Sequence, residues 1–181
     1  EAFRRGWRIE EVQRLTDIEP FFLYKIRSLV VLEQRLKSTP WERAPKELLW
    51  EAKRQGFTDT HLAELLAVSP ADLRARWKAW GWHSHYKCVD TCAAEFVAET
   101  PYYYSTWQGE DEVEVTADGK QKVLVVGSGP IRIGQGIEFD YCSVHGVKAL
   151  KQLNITSVVM NNNPETVSTD YATADRLYFE P

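Results

Sequence analysis

The chain is poor in methionine, with a single residue among 181, and it has only three cysteines and no long apolar run. Three cysteines do not close a disulfide framework, so the sequence points to a reducing compartment. Uncharged apolar runs such as residues 28–32 fall far short of the ~20 residues a bilayer span needs. No signal peptide opens the sequence, and the expectation is a cytoplasmic protein with no membrane partner. An excess of positive charge is missing as well: 22 basic against 26 acidic side chains leave a net charge of -4. A general nucleic-acid binder presents a basic face or tail, so nucleic acid is not an expected partner. There is no internal repeat and no low-complexity tract.

What is present divides in two. Through residue 85 there are fifteen basic and twelve acidic side chains; after it there are seven and fourteen. The first part is rich in Leu, Arg, Glu and Trp, and its punctuation predicts helices. Asp17 reads as an N-cap, with Pro20 in the first turn of a helix running to about residue 37. Phe22, Ile26, Leu29, Val30 and Leu36 recur on it at helical spacing. A helix over 45–55 closes at Gly56. Thr58 and Asp59 cap another through 67, and Ser69-Pro70 opens a third that Gly81 ends. Trp50, Phe57, Trp77 and Trp80 are expected in the core. Residues 86–90 and 102–107 read as strands, residues 108–120 as an acidic, turn-like linker. Beyond it, 122–126 predicts a short buried strand, about 136–153 a helix, and 157–160 and 176–179 two more strands. That order calls for a parallel sheet.

The sharpest local feature is GSGPIRIGQG at residues 127–136, between a strand and a helix. A phosphate-binding P-loop would end in Gly-Lys-Ser/Thr, which is absent. A dinucleotide fingerprint would place glycine where Arg132 stands. A strand-to-helix turn without a ligand remains open. His83, His85, Cys88 and Cys92 can be drawn as a zinc site, but the spacing is not a common structural pattern, and no metal site is expected. Residues 57–82 also allow a helix-turn-helix whose second helix presents Arg74, Arg76 and Lys78 to phosphates, against an ordinary helical hairpin with a solvated basic face. The alternative function is therefore a helix-turn-helix DNA-binding regulator with a nucleotide-sensing α/β domain.

Three stretches together carry a resemblance: YKCVDTCAAEF at 86–96, KVLVVGSGPIRIGQGIEFD at 122–140, and NNNPETVSTDYATADRLYFEP at 161–181. In this order they resemble the large subunit of carbamoyl phosphate synthetase, where its helical oligomerization domain passes into the second, carbamoyl phosphate-forming half. EAFRRGW and EAKRQGFTD are similar to that oligomerization domain. The implied architecture is a helical module followed by the start of an α/β, pre-ATP-grasp, Rossmann-like parallel-sheet domain. The implied divisions are 1–107 (helical domain and linker strands), 108–120 (acidic linker) and 121–181 (start of the pre-ATP-grasp domain). The resemblance implies an ATP-dependent ligase using magnesium or manganese, a glutamine amidotransferase small subunit and further large subunits as partners. It places Gly136, Glu138 and Glu165 along the path of the carbamate intermediate, with Gly127, Gly129, Arg132 and Gly134 supporting the loop. On this reading the sequence is a fragment that holds no catalytic residues, binds no nucleotide or metal alone, and is inactive by itself.

Overall fold

A computed structural model describes residues 1–113, 119–130 and 138–180. The chain divides into two compact units, residues 1–83 and 84–181. No helix among the described residues is long and apolar enough to cross a membrane.

The first unit is helical: α1 (Ile9–Thr16), α2 (Pro20–Lys37), α3 (Lys46–Arg54), α4 (Asp59–Leu66) and α5 (Pro70–Trp80), with a short 3-10 turn at Phe3–Arg5. The punctuation works where capping is local. Thr58 accepts from the His61 N–H at 3.2 Å and Ser69 from the Asp72 N–H at 3.1 Å, while Gly81 ends α5 in the left-handed region at φ 69°. Asp17 differs from expectation. It is the left-handed C-cap of α1, at φ 55°, and Glu19 takes the N-cap position of α2. Ile9 and Val12, one turn apart, gather with Leu23 into a small apolar cluster.

On α2 the expected stripe is covered in part: Val30 and Leu36 are buried and Leu29 is half-buried. Leu23 and Leu32 are buried as well, whereas Phe22 and Ile26 are exposed. Helical spacing identifies a stripe, but packing of α1 against α2 selects which stripe is covered. Trp77 is 4% exposed, and its indole N–H donates to Asp59 Oδ1 at 3.1 Å. Lys53, also buried, donates to the same oxygen at 2.8 Å, so this ion pair and its indole partner join α3, α4 and α5.

Glu33 is a second buried charge, 6% exposed. Arg4 donates to its Oε2 at 2.9 and 2.7 Å and Lys37 to its Oε1 at 2.7 Å. Hydrogen bonds from Arg4, then Lys37, hold this carboxyl well below the usual carboxylate range, at about 2. Its folded pKa is depressed, so the stability it contributes is fully present above the ordinary carboxylate pKa and is lost as pH falls toward 2. Glu33→Gln should destabilise the helical unit by about 2 kcal/mol at neutral pH. The gap between variant and parent should narrow between pH 4.5 and 2. Urea titrations followed by tryptophan fluorescence at several pH values measure it, and a gap that ignores pH would remove Glu33 from the acid response.

The second unit is one mixed sheet in the order β1-β2-β5-β4-β3, from β1 (His85–Cys88), β2 (Tyr102–Thr106), β3 (Lys122–Val126), β4 (Thr156–Met160) and β5 (Arg176–Phe179). β1 and β2 are antiparallel, and β2, β5, β4 and β3 run parallel. The helix α6 (Glu138–Gln152) packs on β3 and β4, and Val147, Val159 and Leu177 form the core beneath it. β3 differs from the buried strand expected. It lies at the sheet's edge with Leu124 and Val126 exposed, because alternate residues point to opposite faces.

The two compact units meet at 83/84, so the second holds β1, β2 and the acidic stretch as well as residues 121–181. The strands read as the first domain's linker belong to the second unit's sheet, where Tyr102 to Tyr104 pair with Leu177 to Phe179. The acidic stretch following β2 is put to use beside them. Asp111 accepts from the Tyr86 N–H at 2.7 Å; Glu112 accepts from the Cys88 N–H at 3.0 Å and from Lys87 at 2.5 Å. These carboxylates cover hydrogen-bonding groups on edge strand β1 that would otherwise be open to another chain.

Candidate functional site

The parallel strands β3, β4 and β5 end on one side of the sheet, the side on which open α/β folds seat their ligands. Gly127 continues the β3–β4 ladder by donating its N–H to the Met160 carbonyl at 2.8 Å. Beside it stands Asn161, 3% exposed, whose N–H donates to the Tyr178 carbonyl at 3.0 Å. A Cβ on Gly127 would lie 2.5 Å from Asn161 Nδ2 and 2.6 Å from its Cγ. Glycine is required there because the asparagine side chain occupies the space. Gly129 is in the left-handed region at φ +76°, facing Asn162 Oδ1.

Two asparagines then shape the loop after β4. Asn161 Oδ1 accepts from the Asn163 N–H at 3.2 Å, and Asn163 Oδ1 from the Glu165 N–H at 3.0 Å. Such side-chain bonds to backbone two residues on are a turn-forming device. They leave Glu165 exposed at the crest of the loop. The loop closes in the 3-10 turn Val167–Thr169, where the Thr169 hydroxyl donates to the Thr166 carbonyl at 2.8 Å.

Asp140, in the first turn of α6, is 1% exposed. Its Oδ2 accepts from the Thr166 hydroxyl at 2.8 Å and from the Ser168 N–H. The Ser168 hydroxyl in turn accepts from Asn161 Nδ2 at 3.4 Å. A continuous buried polar chain therefore runs from the end of β4 through the loop to the start of α6. Of the residues expected at the site, Gly127 packs against Asn161, Gly129 faces Asn162, and the Glu165 N–H is held by Asn163. Arg132, Gly134 and Gly136 lie outside the described residues. Glu138 opens α6, and its side chain is likewise outside them.

Sequence reasoning missed Asn161, Ser168 and Asp140. The signal available was the run Asn161-Asn162-Asn163-Pro164, a strong turn composition directly after a strand. Among the described residues the site offers amide and hydroxyl groups, one buried carboxylate and one exposed carboxylate. It contains no nucleophile paired with a base, and its geometry suits holding and confining more than bond making.

The other expectations resolve differently. The Cys88 thiol lies 3.3 Å from Thr100 Oγ1, and among the described residues neither Cys88 nor Cys92 enters a cluster of metal-ligating groups. The pair α4–α5 is a helical hairpin in which Arg76 is engaged internally. Its guanidinium stacks 3.2 Å from the centre of the Trp41 ring and donates to the Trp41 carbonyl at 3.0 Å.

Residues 1–81 match the family model for the carbamoyl-phosphate synthetase large chain oligomerisation domain. Residues 119–181 match that for the carbamoyl phosphate synthase preATP-grasp domain. Over all 181 residues the chain is 54% identical to a carbamoyl phosphate synthase large chain of Clostridium botulinum (strain Eklund 17B / Type B) and 53% identical to one of Clostridium beijerinckii. It is 52% identical to an arginine-specific large chain of Halalkalibacterium halodurans. The chain spans 17% of the length of each of these relatives. The helix-turn-helix regulator finds no support in these matches.

Proposed function

Because the chain belongs to the carbamoyl phosphate synthase large-chain family, we propose that it serves an ATP-dependent ligase making carbamoyl phosphate from bicarbonate, glutamine-derived ammonia and two ATP. The observation that carries this reading is 54% identity across all 181 residues, spanning both units. In this reading the enzyme is cytoplasmic and supplies arginine or pyrimidine synthesis. A glutamine amidotransferase small subunit provides ammonia, and residues 1–81 associate with further large chains.

The role of the second unit is confinement. Carbamate is anionic and labile, so it must pass between phosphorylation sites without meeting bulk water. Gly136, Glu138 and Glu165 line that path, and Gly127, Gly129, Arg132 and Gly134 hold the turn beside it. Exposure of Glu165 at the loop crest supports this assignment, as does the close packing of Gly127 on Asn161.

The nucleotide and magnesium or manganese of the two phosphorylations do not fit the described residues of this site. Residues 127–130 carry no cation to hold phosphate. Asp140 is already engaged by Thr166 and Ser168. The family resemblance assigns both groups to other parts of the enzyme, and on that reading the isolated chain should hydrolyse no ATP. Exchanged for the matching segment of the arginine-specific relative, this chain should support carbamoyl phosphate synthesis within about tenfold of that enzyme. A coupled assay on both proteins is decisive. ATP turnover by the isolated chain would overturn the assignment of nucleotide elsewhere. A folded chimera that phosphorylates bicarbonate but forms no product would overturn the confinement role.

A further inference from the structure

Asp140 is a fully buried carboxylate that the proposed confinement role does not require to touch the intermediate. Its surroundings are unusual for a residue retained for stability alone. Among the described residues it has no cationic partner, both donors to Oδ2 are neutral, and buried Oδ1 has no hydrogen-bond partner at all. A buried carboxylate without a cation is costly, and an unfilled acceptor adds to that cost. What the arrangement provides is a connection. The two donors come from Thr166 and Ser168, one and three residues after the Glu165 crest, and the acceptor sits two positions after Glu138 in the first turn of α6.

We infer that Asp140 is a positioning residue for the carbamate path: its carboxylate clamps the 161–170 loop to the start of α6 and so fixes the spacing of the two chain segments that carry Glu138 and Glu165. The inference rests on the reading of those segments as walls of the path. The clamp has a backstop on its other side. Ser168, 1% exposed, is held by Asn161, and Asn161 is fixed against Gly127 and the Tyr178 carbonyl. The loop therefore cannot shift toward β4, and with Asp140 in place it cannot shift away. Thr166 and Ser168 hold the loop through Oδ2 alone, so an amide oxygen at that position meets the same demand.

A full-length large chain carrying this segment gives the test, with ATP consumed per carbamoyl phosphate formed as the readout. Asp140→Ala should release the loop, let carbamate escape to water, and raise that ratio about threefold or more while bicarbonate-dependent ATP hydrolysis continues. Thr166→Val removes one of the two bonds with little change in shape and should raise the ratio to a lesser degree, which keeps the test valid if the alanine variant fails to fold. Asp140→Asn, which retains an acceptor oxygen, should restore the parent ratio. Unchanged stoichiometry in folded Asp140→Ala, or in Thr166→Val should the alanine variant not fold, overturns the clamp, and so does an asparagine variant as leaky as alanine. Glu165→Leu measured in parallel separates the two claims. If it blocks overall synthesis while the Asp140 variants stay coupled, the path stands and the clamp falls; if it has no effect, the path assignment falls with it.

Discussion

Gly127→Ala should destabilise the second unit by about 2 kcal/mol or more, through overpacking and not through backbone strain. The added Cβ would lie 2.5 Å from Asn161 Nδ2, 2.6 Å from Cγ and 2.9 Å from Cβ, so relief requires moving the whole asparagine and not the tip of a flexible chain. Asn161 has no free direction. It is 3% exposed, its N–H is bound to Tyr178, and its side chain is bound at both ends, to Ser168 and to the Asn163 N–H. The clash should therefore spread into the loop and into the β3–β4 pairing. Amide hydrogen exchange reports this locally: protection on β3 and β4 should fall by about thirtyfold, while α2 to α5 in the other unit keep theirs. Asn161→Ala costs its own hydrogen bonds but opens the space. Combined with Gly127→Ala it should be much less harmful than the sum of the two, a coupling that a double-mutant cycle isolates. Additive losses would mean that the two side chains do not compete for one volume.

Gly136→Leu has the largest expected effect on chemistry. In the full-length enzyme it should cut overall carbamoyl phosphate synthesis by about a hundredfold while leaving both partial reactions, bicarbonate-dependent ATP hydrolysis and formation of ATP from carbamoyl phosphate, near the parent level. If Gly136 lines the path as proposed, leucine at that position adds four carbons to a channel that only has to admit a small anion. Each phosphorylation site lies elsewhere on the proposed scheme, so each should still turn over with its own substrate. Loss of both partial reactions would identify a folding defect. Normal overall synthesis would remove Gly136 from the path. Because the Asp140 variants are expected to leak and the Gly136 variant to block, ATP consumed per product distinguishes the two kinds of damage.

The helices of the first unit were legible in the sequence where their ends depend on near neighbours. Thr58, Ser69 and Gly81 each act within three or four residues, so residue type and spacing suffice to place α4 and α5. The same logic misread Asp17. An aspartate before a proline resembles an N-cap, and only the presence of α1 behind it makes the residue a left-handed C-cap. Of the stripe read on α2, Val30 and Leu36 are buried but Phe22 and Ile26 are exposed, since period is a property of one helix and coverage a property of two.

In the second unit the strand segments and the parallel order of β3, β4 and β5 followed from a β-loop-α-β pattern with strong local signals. The glycine turn at 127–136 stood out from its surroundings by itself, whereas Glu165 was singled out only through the family resemblance. Membership of β1 and β2 in this sheet was not legible. Pairing of Tyr102 with Leu177 joins residues 75 positions apart, and nothing near either strand specifies the other. Nor was Asp140, since an acid in the first turn of a helix ordinarily serves the helix end in solvent. Composition and local spacing determined what each segment is. Which segments share a core, and which polar groups are thereby sealed from water and obliged to bond to one another, was decided only by tertiary structure, because burial depends on what the distant parts of the chain bring to the same place.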